Sequence, residues 1–148
     1  MRVVVQRVKN AKVEAKGGVV AKIGRGLLVF VGIEKGDKEN EVHFMAKKIL
    51  NLRIFPDKKN KMNLSVKEIN GEILSISQFT LASHIKKGRR PDFNNAEEPL
   101  EAENLYNRFN DILSNDIKVG KGIFGSMMSV HSINEGPVTF IIEKNFID

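Results

Sequence analysis

Ser77-Gln78-Phe79-Thr80-Leu81-Ala82 puts two hydroxyls and an amide within four residues. Ser77 and Thr80 each carry an O–H, and Gln78 brings both a donor and an acceptor. The segment lies where a strand gives way to a loop, a junction at which functional groups gather. Such a group can hold or attack an ester, but a hydroxyl nucleophile needs an activating base, and none is close in sequence. Alternatively, this is a strand end whose side chains bond their own backbone. Asn134-Glu135-Gly136-Pro137-Val138-Thr139 separates two apolar runs. Its Gly-Pro step reads locally as a tight trans turn. Lys86-Lys87-Gly88-Arg89-Arg90 concentrates four cations. They could meet phosphates or form a solvated charge run.

Other chemistries fit poorly. Cysteine is absent, which excludes disulfides, thiolate metal sites and cysteine nucleophiles. His43, His84 and His131 fall on a helix, a loop and a strand. They lack zinc-ligand spacing, so no metal is expected. Gly120-Lys121-Gly122-Ile123-Phe124-Gly125 matches G-x-G-x-x-G. It follows a helix and precedes a strand, whereas a dinucleotide site needs the reverse. No cofactor is expected. The net charge of +6 suits a polyanionic partner or a Lys-rich surface equally. No apolar run reaches the roughly 20 residues a bilayer requires. The N-terminus carries no signal pattern, so no membrane contact and a cytoplasmic location are expected.

Hydrophobic periodicity supplies the elements that must position these groups. Strands are predicted at 2–8, 11–15, 19–23, 27–33, 72–79, 126–133 and 138–143. Gly17-Gly18 marks a hairpin. Val42, Met45, Ala46, Ile49 and Leu50 predict an amphipathic helix over 38–51, capped by Asp37. A second helix starts at Pro99 and ends near Asp116. In the strand at 72–79, Ile73, Ser75, Ser77 and Phe79 share a face whose small polar residues leave room for a ligand. The expectation is a mixed α/β fold, one domain over residues 1–148. Its sheet is largely antiparallel or barrel-like, covered by two helices.

SQFTLA at 77–82 and NEGPVT at 134–139, in that order, resemble the signature pair of the D-aminoacyl-tRNA deacylases. The likeness runs through VVVQRV, GLLVFVGIEKGD, NLRIF, KMNLSV and KGRRPDF, over residues 1–143. The resemblance implies a homodimer that binds the aminoacylated 3′ end of tRNA. It implies hydrolysis of the ester linking a D-amino acid, or glycine, to the terminal adenosine. It further implies a cis Gly136-Pro137 bond that enters the partner's pocket, where its carbonyls exclude an L side chain. Ser77, Gln78, Phe79 and Thr80 fall on the pocket motif, Ser77, Gln78 and Thr80 being the catalytic candidates. Phe124 and Met128 match positions near the adenine, and Arg7 matches a residue that steadies the Gly-Pro element. An aminoacyl ester is already activated, so backbone groups and the ribose 2′-hydroxyl could suffice, with Thr80 lining the pocket.

Two positions depart from the family pattern: Met127, where a polar or acidic residue is common, and Asp92, where serine is usual. Three other readings remain open. One is a non-catalytic RNA-binding module. Another is a hydrolase using Thr80 or Ser77 on a different ester. The third is a purely structural dimer.

Overall fold

The computed structural model describes residues 1–144. Its spine is β1 (Arg2–Ala15), one strand of 14 residues where two were expected. Lys9 and Asn10 are exposed and interrupt the apolar pattern, but they bend the strand instead of ending it. Between Val8 and Ala11 the register against the last strand slips by one residue. Such a bulge changes which face each side chain takes. Val3 and Val5 therefore enter one core, while Val8, Ala11 and Val13 enter another.

The next two strands, β2 (Gly18–Ile23) and β3 (Gly26–Gly32), both run antiparallel to β1 along its length. They form one long hairpin arm broken at Gly24-Arg25. Then α1 (Glu39–Asn51) leads past the short pair β4 (Phe55–Pro56) and β5 (Met62–Leu64) to β6 (Glu72–Ser77). After it, α2 (Pro99–Ser114) leads to β7 (Val119–Lys121) and β8 (Ser129–Glu143). β6 pairs parallel with β3, and β7 parallel with β6. Parallel neighbours need a crossover, and the two helices supply it. Because both crossovers step the same way across the sheet, their shared handedness puts both helices on one face.

That face holds the larger core, with Val5, Val29, Ile73, Met45, Ile49 and Phe109 fully or almost fully buried. The other face curls on itself into a nearly closed barrel. Val13, Ile23, Leu28, Leu74 and Ile76 fill its interior. The molecule is thus a mixed α/β single domain with a barrel-like sheet and two helices.

Four local expectations change. Asp37 does not cap α1. Its buried carboxylate receives the α-amino group of Met1 at 2.6 Å and the Glu34 N–H at 2.7 Å. The helix instead starts from Lys38, whose N–H donates to Glu41 Oε2 at 2.8 Å. The strand at 72–79 stops at Ser77, and Phe79–Ala82 forms a 3₁₀ turn. The face kept open for a ligand is filled by α2 at Ser75, while Ser77 stays half-buried and Phe79 exposed. Ser75 is fully buried, and the Tyr106 hydroxyl donates to its carbonyl at 2.8 Å. Finally, the strand expected from 126 begins at Ser129, and no turn separates it from 138–143, because β8 continues through Gly136-Pro137 to Glu143.

Candidate active site at the end of β6 and the bulge of β8

Two clusters contain the predicted catalytic and substrate-binding residues. The first begins where β6 ends. Gln78 N–H donates to the Val31 carbonyl at 2.7 Å, the last bond to β3 before the chain turns. Leu81 N–H then bonds the Gln78 carbonyl at 3.2 Å and Ser83 N–H the Thr80 carbonyl at 3.1 Å. This tight turn presents Phe79 and Thr80 to solvent, with Ser77 and Gln78 half-buried behind them. The turn lies flat against β3. A Cβ on Gly32 would stand 2.7 Å from Leu81 Cβ and 3.2 Å from the Gln78 carbonyl oxygen. Arg2 Nη1 donates to the Leu81 carbonyl at 2.9 Å and holds the far side of the turn.

The Gln78 side-chain amide donates to Thr80 Oγ1 at 2.6 Å. A neutral amide orients that hydroxyl but cannot take its proton. Among the described residues no ion pair or hydrogen bond joins a histidine or carboxylate to Thr80. The turn therefore offers fixed polar groups and lacks the base a serine-protease-like nucleophile requires.

The segment from Gly122 to Met128 lies beside the same strand end, because Gly122 N–H donates to the Ser75 carbonyl at 3.1 Å. Phe124 packs its ring 6.0 Å from that of Tyr106. Burial raises the Tyr106 phenol's pKa above its ordinary value, so the hydroxyl remains a donor. Met128 turns inward onto the barrel core, whereas Met127 is 93% exposed. A cleft of about 460 Å³ is bounded by Glu14–Val19 and Met127–Ser129. It does not include Ser77 to Thr80, which lie on an open face.

The second cluster is a bulge. Gln6 pairs with Thr139 and Val8 with Asn134, so one residue of β1 faces four of β8. The four are Glu135, Gly136, Pro137 and Val138. Gly136-Pro137 is cis, unlike the trans turn that local reading suggested. Both residues are exposed. Arg7, the single residue opposite, donates through Nε to the Glu135 carbonyl at 3.1 Å and through Nη1 to the Ile54 carbonyl at 2.8 Å. Asn134 Oδ1 accepts the Val138 N–H at 3.0 Å, and Asn134 Nδ2 donates to Thr139 Oγ1 at 2.9 Å. Gly136 has φ +133°, and a Cβ there would meet Val138 Cγ2 at 2.8 Å and Arg7 Nη2 at 3.3 Å. The bulge is thus clamped at both ends and projects main chain outward.

Arg7 and Gly136-Pro137 are neighbours, and the segment carrying Phe124 and Met128 is bonded through Gly122 to Ser75, two residues before Ser77. The two clusters are separate. Arg2 marks the first and Arg7 the second, five residues apart along β1, or roughly 16 Å of extended chain.

Residue-by-residue reading missed two participants. Phe93 meets Phe79 with ring centroids 5.1 Å apart. Asn134 acts as the bulge clamp, and an Asn two residues before a Gly-Pro step was the available signal. The unusual Asp92 has a local role, since its Oδ1 accepts the Asn94 N–H at 2.8 Å. Serine can make the same kind of turn. The histidines stay apart: His43 near Glu39, His131 near Glu14, and His84 in the loop after the 3₁₀ turn. Among the described residues no group of three or more His, Asp or Glu is placed to hold a metal ion.

A family model described as D-Tyr-tRNA(Tyr) deacylase matches residues 4–143. A D-aminoacyl-tRNA deacylase from Aquifex aeolicus is 53% identical over 148 residues, covering 99% of this chain and 100% of that one. Another from Persephonella marina is 54% identical over 144 residues, covering 97% and 98%. Among solved structures, one titled c-Myc DNA Unwinding Element Binding Protein superposes with a TM-score of 0.93 at 41% identity, covering 99% of this chain and 100% of that one. A probable eukaryotic D-amino acid tRNA deacylase shares the fold, with a TM-score of 0.82 at 20% identity, covering 95% and 97%.

Proposed function

The chain belongs to the D-Tyr-tRNA(Tyr) deacylase family, and from that premise we propose how it reads the stereochemistry of an aminoacyl-tRNA. It is an aminoacyl-tRNA deacylase, a carboxylic ester hydrolase that releases a free D-amino acid and tRNA. The turn from Ser77 to Thr80 receives the aminoacyl ester. The Gly136-Pro137 bulge excludes L side chains with its main-chain oxygens, and glycine, which has no side chain, passes this filter. Phe124 and Met128 flank the terminal adenine. Binding relies on fixed polar groups, with no cofactor.

The observation that carries the stereochemical reading is the clamped, outward bulge of β8. A rigid carbonyl rejects by steric and polar conflict, which discriminates without a special affinity for the accepted isomer. Within one chain the bulge is roughly 16 Å along β1 from the turn, so a second copy must bring the two together. Ile133, Phe140 and Ile141 of β8 are exposed, an apolar edge of the kind that pairs with another chain. The protein acts as a homodimer, each subunit closing the other's open face.

In hydrolysis, water adds to the ester carbonyl carbon and the bond to the ribose oxygen breaks. The ribose oxygen leaves with one of the water's protons, the other passes to solvent, and the amino acid is released as its carboxylate. The neighbouring 2′-hydroxyl assists, while Thr80, held by Gln78, positions the ester. No helix among the described residues is long and apolar enough to cross a membrane, and the proposed place of action is the cytoplasm, where charged tRNA is found.

The deciding experiment compares D-, L- and glycyl-tRNA as substrates. Turnover of the D and glycyl esters with the L ester spared is expected. Equal cleavage of D and L esters would sink the stereochemical reading. Binding of tRNA without any turnover would favour the second reading, a non-catalytic RNA-binding module, for which the basic loop at 86–90 speaks.

A further inference from the structure

The loop after the 3₁₀ turn is built as a prong. His84 and Asp92 exchange main-chain hydrogen bonds, each 2.9 Å, and close the seven residues between them. Lys86, Lys87, Arg89 and Arg90 occupy the closed loop, and all four are exposed. None of the four joins an ion pair among the described residues. Asp92, the carboxylate at the prong's base, is turned to the Asn94 N–H. Like charges crowded this way repel one another and gain from a polyanion. The prong is also tied to the site, since Phe93, just beyond its base, packs against Phe79 of the turn.

We infer that this prong grips the phosphate backbone of the tRNA just inside its acylated end. The inference rests on the reading of Ser77 to Thr80 as the ester-binding turn. An RNA bound there by its 3′ end must lead its remaining phosphates away past neighbouring surface, and the prong puts four exposed cations on that surface. Backbone contacts set register without reading sequence. The prong thus supplies affinity for tRNA as a class, and the chemistry stays with the turn.

The test neutralises the four cations together (Lys86→Gln, Lys87→Gln, Arg89→Gln, Arg90→Gln). It follows kcat/KM across a salt series on D-aminoacyl-tRNA and on D-aminoacyl-adenosine, which has no phosphate. Each phosphate contact contributes about −0.7 to −0.9 to the slope of log affinity against log salt. On tRNA, a loss of at least ~10-fold near 0.1 M salt is expected, with a slope shallower by about 2–3. The adenosine ester should be cleaved as before. A second variant that keeps the charge (Arg89→Lys, Arg90→Lys) should retain most of the tRNA activity. An unchanged tRNA rate, equal losses on both substrates, or an unchanged salt slope would each overturn the inference. So would loss of binding to phosphatidylserine vesicles with tRNA binding intact, which would make the prong a lipid contact. If the wild-type protein cleaves neither ester, the ester-binding reading fails by itself. Anisotropy of labelled, uncharged tRNA then still decides the prong, with weaker binding by the neutral variant supporting it and equal binding overturning it.

Discussion

Arg7 donates to the main-chain carbonyl of Glu135 at 3.1 Å while its other arm holds the Ile54 carbonyl at 2.8 Å. One guanidinium therefore ties the β8 bulge to the segment leading into β4. Lysine keeps the charge but lacks the planar fork needed to span both acceptors.

Arg7→Ala is expected to lower stability by about 1.5–3 kcal/mol, the worth of hydrogen bonds to a charged donor. Arg7→Lys should recover only part of this loss. Urea midpoints measure the energy. Hydrogen exchange at the Val138 amide, bonded inside the bulge to Asn134, should quicken in both variants. Unchanged exchange would mean that Arg7 does not hold the bulge.

Gly136→Ala places a Cβ 2.8 Å from Val138 Cγ2 in a backbone region, φ +133°, that side chains avoid. Strain of this kind costs about 1–3 kcal/mol. If the bulge filters stereochemistry, the variant should also narrow the ratio of D to L turnover. Lower stability with an intact ratio would assign the discrimination elsewhere.

Thr80→Ala removes the hydroxyl that Gln78 holds at 2.6 Å. For a positioning role, turnover should fall by about one order of magnitude and remain measurable. Binding without any detectable turnover would make Thr80 the nucleophile, because catalysis cannot survive loss of the attacking atom.

Asp37 provides a pH test. Burial outweighs its hydrogen bonds to the Met1 amine and the Glu34 N–H and raises its pKa above the ordinary value. Between the unfolded value, about 3.9, and the raised folded one, the native state binds more protons than the unfolded state. Stability attributable to this group therefore falls as pH rises through that window and is level above it. Chemical denaturation across the acid range should show this slope superimposed on other groups. Asp37→Asn should remove it, and an unchanged slope would contradict the assignment.

Much of this protein could be read from residue order. A continuous apolar run marked β3, two alternating faces marked β6, and helical spacing marked α1 and α2, because those patterns follow which side chains leave water. The family likeness rested on two short motifs and on further matching segments over residues 1–143. Tertiary structure decided what local pattern could not encode. Lys9-Asn10 reads as a break, yet pairing with β8 carries β1 through it as a bulge. Asn134 to Thr139 reads as a turn, yet the long ladder with β1 keeps both flanks in one strand and leaves Gly136 and Pro137 exposed in a bulge whose Val138 stays buried. Ser75 reads as a ligand face until Tyr106 covers it. In each case the deciding partner lies far away in sequence. Local preference is worth a few tenths of a kcal/mol to about 1 kcal/mol per residue, less than the combined packing and hydrogen bonding that distant elements supply.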